Sequence, residues 1–159
     1  MWHSAIVWLV TIGLYALSVL LWPADRSWYA GLDKPAWTPP AGWSIAVWGV
    51  VYAAVAAAVT IVYSRSDAFQ DIAPAWLTAL AVNYGCSQLS RYFECKQKKL
   101  FPGFIASFAV AASACWLAVE TVQYSKLAAW LIMPYLVWSC FQTLLPWSIF
   151  ILNRDNAEA

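Results

Sequence analysis

Five long apolar stretches, joined by short polar connections, fix what this chain can become. They run over residues 4–22, 42–63, 72–93, 100–122 and 127–150. Each approaches the about 20 helical residues needed to cross a hydrocarbon core of ~30 Å. Ala, Leu and Val fill them continuously, whereas barrel strands would alternate over segments of ~10 residues, so the spans are read as helices. Few residues are left over for anything else. The expectation is one all-α domain over 1–159, an integral membrane bundle of five transmembrane helices.

Composition agrees. Of 159 residues, 63% are hydrophobic and 11% charged, against roughly 25% charged in soluble domains. So few charges cannot cover a compact body in water, and so apolar a chain is not disordered. A net charge of +1 without a basic face excludes nucleic acid as a partner. The first stretch lacks a basic leader and ends in Trp22 and Pro23 instead of a small-residue cleavage pattern, so it is expected to be a retained helix.

Lysines and arginines fall unevenly between the two ends of the bundle. Arg26, Lys34, Arg91, Lys96, Lys98, Lys99 and Arg154 lie on one side, Arg65 and Lys126 on the other. In a cell (inner) membrane the positive-inside rule puts the first side in the cytoplasm, with the N-terminus outside and the C-terminus inside. The cysteines, Cys86, Cys95, Cys115 and Cys140, form no Cys-x-x-Cys pair and read as small apolar core residues, with no metal site. The single histidine, His3, lies outside the spans, so iron ligation by histidine from within the bundle is unavailable. Phosphate loops, metal-binding helices and nucleophile elbows are absent from the sequence.

The connection 23–41 is the longest and carries Trp28, Tyr29, Leu32 and Trp37 with Pro35, Pro39 and Pro40. A loop of that length is commonly functional or disordered, and this one is too apolar and too proline-stiffened to float in water. Trp2, Trp22 and Trp43 read as an interfacial belt. Trp28, Tyr29 and Trp37 read as part of an ordered lid.

Three spans depart from plain lipid-facing helix. In the second, Trp48 and Tyr52 share a face beside the small row Gly49, Ala53 and Ala57, suited to close helix contact within the bundle or with a second copy. In the third, Asn83, Ser87, Ser90 and Glu94 follow spacings of four, three and four, with Tyr84, Gln88 and Arg91 on the neighbouring ridge. Such a face turns to the bundle interior, a wet cavity or another subunit. In the fifth, Tyr135, Trp138 and Gln142 align between Pro134 and Pro146. Together these residues are the inventory of an aromatic pocket with a few orienting polar groups, fitted to a flat conjugated ligand.

The stretch WYAGLDKPAWTPP from Trp28 to Pro40 closely resembles the first-loop signature of the TspO/MBR family, the tryptophan-rich sensory proteins, translocator proteins or peripheral benzodiazepine receptors. Trp48 with Tyr52, Asn83, the run Pro134-Tyr135-Leu136-Val137-Trp138 and Asn153 resemble its other signatures. The resemblance spans nearly the whole chain. It implies a five-helix bundle, commonly a homodimer, that needs no cofactor and binds porphyrins such as protoporphyrin IX or haem, and synthetic benzodiazepine-type ligands.

Carried onto this chain, the resemblance implies a ligand site of Tyr29, Pro40, Trp48, Tyr52, Asn83, Tyr135, Trp138 and Gln142, capped by Trp28, Lys34, Pro35, Trp37 and Pro39. Trp48 and Trp138 match the tryptophans tied, in some members, to light-dependent porphyrin breakdown, and would be the catalytic pair in that reading. Departures are Ala79, Cys86, Gln142 and Pro146, and no tyrosine follows Tyr135 to form the animal sterol motif. Three functions follow in order: a porphyrin receptor or sensor, a light- and oxygen-dependent porphyrin-degrading enzyme, and a tetrapyrrole or lipid transporter. The last ranks low because charges within the spans are few and five helices do not divide into two inverted repeats.

Overall fold

The computed structural model describes residues 2–154. Five long helices form: α1 (Trp2–Leu21), α3 (Ala41–Arg65), α4 (Pro74–Arg91), α5 (Leu100–Val122) and α6 (Lys126–Asn153), with a one-turn helix α2 (Arg26–Ala30) in the first connection. Each long helix matches an expected span to within a few residues. Successive long helices run in opposite directions. Around the bundle, α1 packs on α3, α3 on α6, α6 on α5 and α5 on α4, and a thinner α1–α4 seam closes the ring.

Local chemistry sets the boundaries. Pro74 opens α4, where its missing N–H costs nothing. The Ser125 hydroxyl accepts the Ala128 amide and caps α6, as short hydroxylated residues do. Pro134 and Pro146 lie inside α6, and each removes one helical donor, from the carbonyls of Trp130 and Gln142 respectively. The last turn of α4 widens into a π-helical segment, Tyr92–Lys96, a distortion that often marks functional positions.

The outer surface explains the solvent this fold needs. Leu20, Ile45, Val50, Val119, Leu127, Trp130 and Val137 are all exposed, forming a belt compatible only with lipid. α1, α3, α5 and α6 are long and apolar enough to cross a membrane. α4 is the exception by composition, because Asn83, Ser87, Gln88, Ser90 and Arg91 dilute its hydropathy. Those groups turn inward or toward α1, so the bundle shields them. The cysteines differ from expectation: Cys115 and Cys140 are exposed and Cys86 and Cys95 half-buried. They lie on outer faces and at seams, where a small apolar residue suits lipid as well as it suits a core.

Between α3 and α4 the chain turns through three consecutive left-handed residues, Asp67 (φ 42°), Ala68 (57°) and Phe69 (70°). The conformation lets the Phe69 ring reach Tyr63 and Trp76, at 5.1 and 5.9 Å between centroids. For L-residues it costs roughly 1–2 kcal/mol per position. Ala68 is exposed and contributes little besides strain. Ala68→Gly should therefore raise stability by on the order of 0.5–1 kcal/mol, net of the greater freedom of glycine when unfolded. Thermal unfolding in detergent micelles followed by circular dichroism would read this.

Candidate functional site

The connection between α1 and α3 is an ordered cap tied down at several points. Asp25 begins α2, its Oδ1 accepting the amides of Ser27 and Trp28, both at 3.0 Å. Its Oδ2 pairs with Lys98 at 2.7 Å, joining the cap to the α4–α5 turn. The Lys98 bond, followed by the Ser27 and Trp28 bonds, holds the Asp25 carboxyl well below the usual carboxylate range. Lys34 Nζ reaches back to the carbonyls of Tyr29 (2.8 Å), Ala30 (3.2 Å) and Leu32 (2.7 Å), closing α2 with a cation where its orphan carbonyls gather. Asn153 exchanges two bonds with Asp33, donating to its carbonyl at 2.8 Å and accepting its amide at 3.0 Å. That fastens the cap to the end of α6. Trp37 lies edge-on to Phe141 at 5.5 Å.

Tyr29 sits half-buried beneath this cap. Burial, and secondarily the nearby Glu94 carboxylate, raise its phenol above the ordinary value.

Within the bundle, the polar face expected on α4 divides into two clusters. Asn83 is fully buried and fully partnered. Its Oδ1 accepts the hydroxyls of Tyr15 (2.7 Å) and Tyr135 (3.0 Å), and its Nδ2 donates to the Val110 carbonyl (3.2 Å) and Ser113 Oγ (3.0 Å). One side chain thus ties α4 to α1, α5 and α6. Toward the cap, Glu94 Oε1 accepts Ser90 at 3.1 Å and Ser107 at 2.8 Å. Gly103 makes this approach feasible, since a Cβ there would stand 2.6 Å from Glu94 Cγ. The neighbouring ridge faces α1, with Gln88 donating to the Leu14 carbonyl at 3.5 Å and Arg91 to that of Trp22 at 3.3 Å.

A small cavity of about 60 Å³ lies between the clusters, lined by Trp48, Tyr52, Ser87, Ser90, Arg91, Glu94, Ser107, Val110, Ser139 and Gln142. That is space for about two waters. The planar gap suggested by the sequence is closed, because Tyr15 of α1 inserts among the rings, 5.2 Å from Tyr52 and 6.1 Å from Tyr135. Trp48 packs on Tyr52 at 4.9 Å and Trp138 at 6.2 Å. A second, wider space of about 680 Å³ is an apolar groove on the outer face of α3 and α6, bordered by Trp43, Val47, Val50, Trp130, Pro134 and Trp138.

Of the residues singled out in the sequence, Trp48, Tyr52 and Gln142 line the cavity and Trp138 stands between cavity and groove. Asn83 and Tyr135 form the hydrogen-bonded layer behind it. Tyr29, Trp28, Lys34, Pro35, Trp37 and Pro39 belong to the cap, and Pro40 is the residue from which α3 starts. The small row on α3 is used within the bundle in part: the Ala53 carbonyl accepts the Trp8 indole at 3.3 Å, while Gly49 faces open space.

Sequence reasoning missed Tyr15, Ser107 and Ser139. Each is one of a few scattered polar residues in an otherwise apolar span, a signal too weak to fix a direction. Three buried polar atoms here have no partner: Trp138 Nε1, Arg91 Nε and Gln88 Oε1.

A lipid-belted ring of five long helices, roofed by a pinned aromatic cap over a polar-lined interior, defines an integral membrane protein of the receptor or transporter kind. The chain matches the TspO/MBR family over residues 5–152 and belongs to it. It is 37% identical over 150 residues to the tryptophan-rich protein TspO of Bacillus cereus, covering 94% of this chain and 96% of that one. With the human translocator protein it shares 32% over 151 residues, 92% and 85% of the two chains. With the tryptophan-rich protein TspO of Archaeoglobus fulgidus it shares 28% over 152 residues, 94% and 95%.

Removing the Asn83 side chain strands the buried Tyr15 hydroxyl and takes one partner each from Tyr135, which keeps Ser87, and Ser113, which keeps the Ala109 and Val110 carbonyls. Asn83→Ala should lower stability by on the order of 1–3 kcal/mol, read as an earlier loss of helical signal on heating in micelles. Tyr135→Phe, which leaves Asn83 three of its four partners, should cost less than half as much.

Proposed function

We propose that this protein is a membrane receptor that takes a porphyrin, such as protoporphyrin IX or haem, into the bundle beneath the cap and modulates tetrapyrrole level or signalling. The observation that carries the reading is the cavity wall, where Trp48 and Tyr52 stand with Arg91, whose buried Nε has no partner; Gln88 Oε1 on the ridge facing α1 and Trp138 Nε1 beside Trp48 are also unpartnered. Buried polar groups are nearly always paired, so an orphaned guanidinium nitrogen in the same wall as two aromatic rings supports a site awaiting a partner. The cavity is smaller than a tetrapyrrole, and binding requires expansion.

α1 is the element that yields. Only 17% of its apolar window is buried, against 33–39% in the other three apolar spans, and its seam with α4 rests on the Tyr15–Asn83 bond of 2.7 Å and two long bonds through Gln88 and Arg91. Moving it withdraws Tyr15 from the rings and opens the faces of Trp48, Tyr52 and Trp138 to the macrocycle. By the asymmetry of basic residues, the cap faces the cytoplasm, and as in the family at large the unit is a homodimer.

Protoporphyrin IX titrated against tryptophan fluorescence should saturate, and Trp48→Ala should weaken binding about tenfold or more. Val50→Trp, which fills the outer groove without touching the cavity, should leave affinity unchanged. The reverse pattern would place the ring in the groove between α3 and α6.

A second reading, light- and oxygen-dependent porphyrin degradation, is favoured by one feature. Trp48, Trp138, Phe141 and Trp37 form a relay with centroid steps of 6.2, 5.0 and 5.5 Å from the cavity to an exposed ring of the cap. The indoles of Trp48, Trp138 and Trp37 can give an electron to a photo-oxidised ligand, each being oxidised to a radical as it does so, with the Phe141 ring bridging Trp138 and Trp37. Illumination in air should convert bound porphyrin to a new pigment, more slowly in Trp138→Phe at equal occupancy. Equal bleaching of free porphyrin would leave only the receptor.

A further inference from the structure

Among the described residues Arg91 is the one cation lining the cavity, and its surroundings are unusual. Its Nη2 makes a single long bond, 3.3 Å, to the Trp22 carbonyl, and its Nε is buried without a partner. Glu94, one turn further on and lining the same cavity, does not pair with it. Among the described residues the ion pair is Lys98–Asp25, and Glu94 Oε1 is engaged by the hydroxyls of Ser90 and Ser107. Arg91 is half-buried at the cap end of α4, and a guanidinium whose Nε is shut away from water without a contacting anion is costly to hold there.

The open edge of that guanidinium, Nε with Nη, is the fork that binds a carboxylate through two parallel bonds. The space beside it suits such a group and little more: about 60 Å³, with the Gln142 amide offering a further donor at its wall. At the other end stand Trp48 and Tyr52, an aromatic surface for whatever carries the acid. A cationic ligand would meet Arg91 head-on, and a wholly apolar one would seal its orphaned N–H permanently.

We propose that Arg91 is the specificity-determining residue of the cavity, receiving the carboxylate of a ligand whose flat apolar body lies against Trp48 and Tyr52. The ligand class is therefore a planar hydrophobic acid, and a porphyrin is selected by its acidic side chains as well as its ring. The inference rests on the receptor reading for the position of that ring. Arg91 also ties α1 to α4 through the Trp22 carbonyl, so an arriving carboxylate competes for the bond that holds the seam closed. The charge and the gate meet in one residue.

The test compares acids with their esters, using the full chain in one detergent so that micelle partitioning cancels between wild type and variant. Probes are protoporphyrin IX, its dimethyl ester, 1-pyrenebutyric acid and its methyl ester, each followed by tryptophan quenching. Arg91→Gln should weaken both acids tenfold or more and change the esters less than twofold. Arg91→Lys, which keeps the charge and loses the fork, should show a smaller loss confined to the acids, and serves if the glutamine variant does not fold. Glu94→Gln should retain the preference for acids.

Loss of the preference in Glu94→Gln, or equal shifts of acid and ester in the Arg91 variants, would overturn the assignment. Porphyrin binding that ignores Arg91 would overturn it while leaving the receptor reading intact. An Arg91-dependent preference for pyrenebutyric acid with no porphyrin bound would support the carboxylate site and remove the tetrapyrrole from the proposed function.

Discussion

Four hydrogen bonds on one amide side chain hold the middle of this bundle together. In lipid there is no hydrophobic gain from bringing helices into contact, so association depends on packing and on the few polar groups that find partners. Asn83 uses both lone pairs of its oxygen on Tyr15 and Tyr135 and both N–H groups on α5. α1, α4, α5 and α6 therefore meet at one point, and α3 joins through the Tyr52 ring stacked between Tyr15 and Trp48. The tyrosines are aimed by this junction, and the cavity is bounded by what they leave open.

That arrangement divides α4 into parts with different duties. Around Asn83 every polar atom is satisfied, and the structure there is fixed. Toward the cap, orphaned groups appear at Gln88 and Arg91, roughly one and two turns on, and beyond them the helix widens to a π turn where Gly103 lets Glu94 lie against α5. Satisfied networks rigidify, while partly satisfied ones are poised to accept something else. The cap closes over the poised half, braced internally by Lys34 and anchored to the bundle by Lys98 and Asn153. Moving α1 breaks the Tyr15–Asn83 bond, while the other three bonds of Asn83 continue to join α4, α5 and α6.

The spans were legible in the sequence because bilayer thickness sets a length that composition alone reveals. The α4 face was legible for a related reason, since polar residues at helical spacing cannot all meet lipid. What spacing could not supply was depth. Asn83 and Glu94 share a face, yet one is a saturated junction and the other borders a cavity. The difference comes from Tyr15 and Ser107, which lie on other helices and carry no signal of their own. Nor could the sequence show that the aromatic residues fill one another's space. Residue type specifies a willingness to stack, and whether the partner is a ligand or another side chain depends on helix separation.

The closed interior then bears on what ligand recognition can mean here. A preformed slot would select by shape, and a rigid aromatic box of these residues would accept many flat molecules almost equally. A collapsed cluster must be opened, at the cost of Tyr15 leaving Tyr52 and of the α1–α4 seam parting. A ligand that offers only ring faces exchanges one set of aromatic contacts for another and has little left to offset that cost. One that also supplies partners to Arg91 and Trp138 removes penalties the closed state already carries. The orphaned groups thus bias the bundle toward opening for ligands that complete them, so selectivity resides in the difference between closed and open states more than in the fit of either.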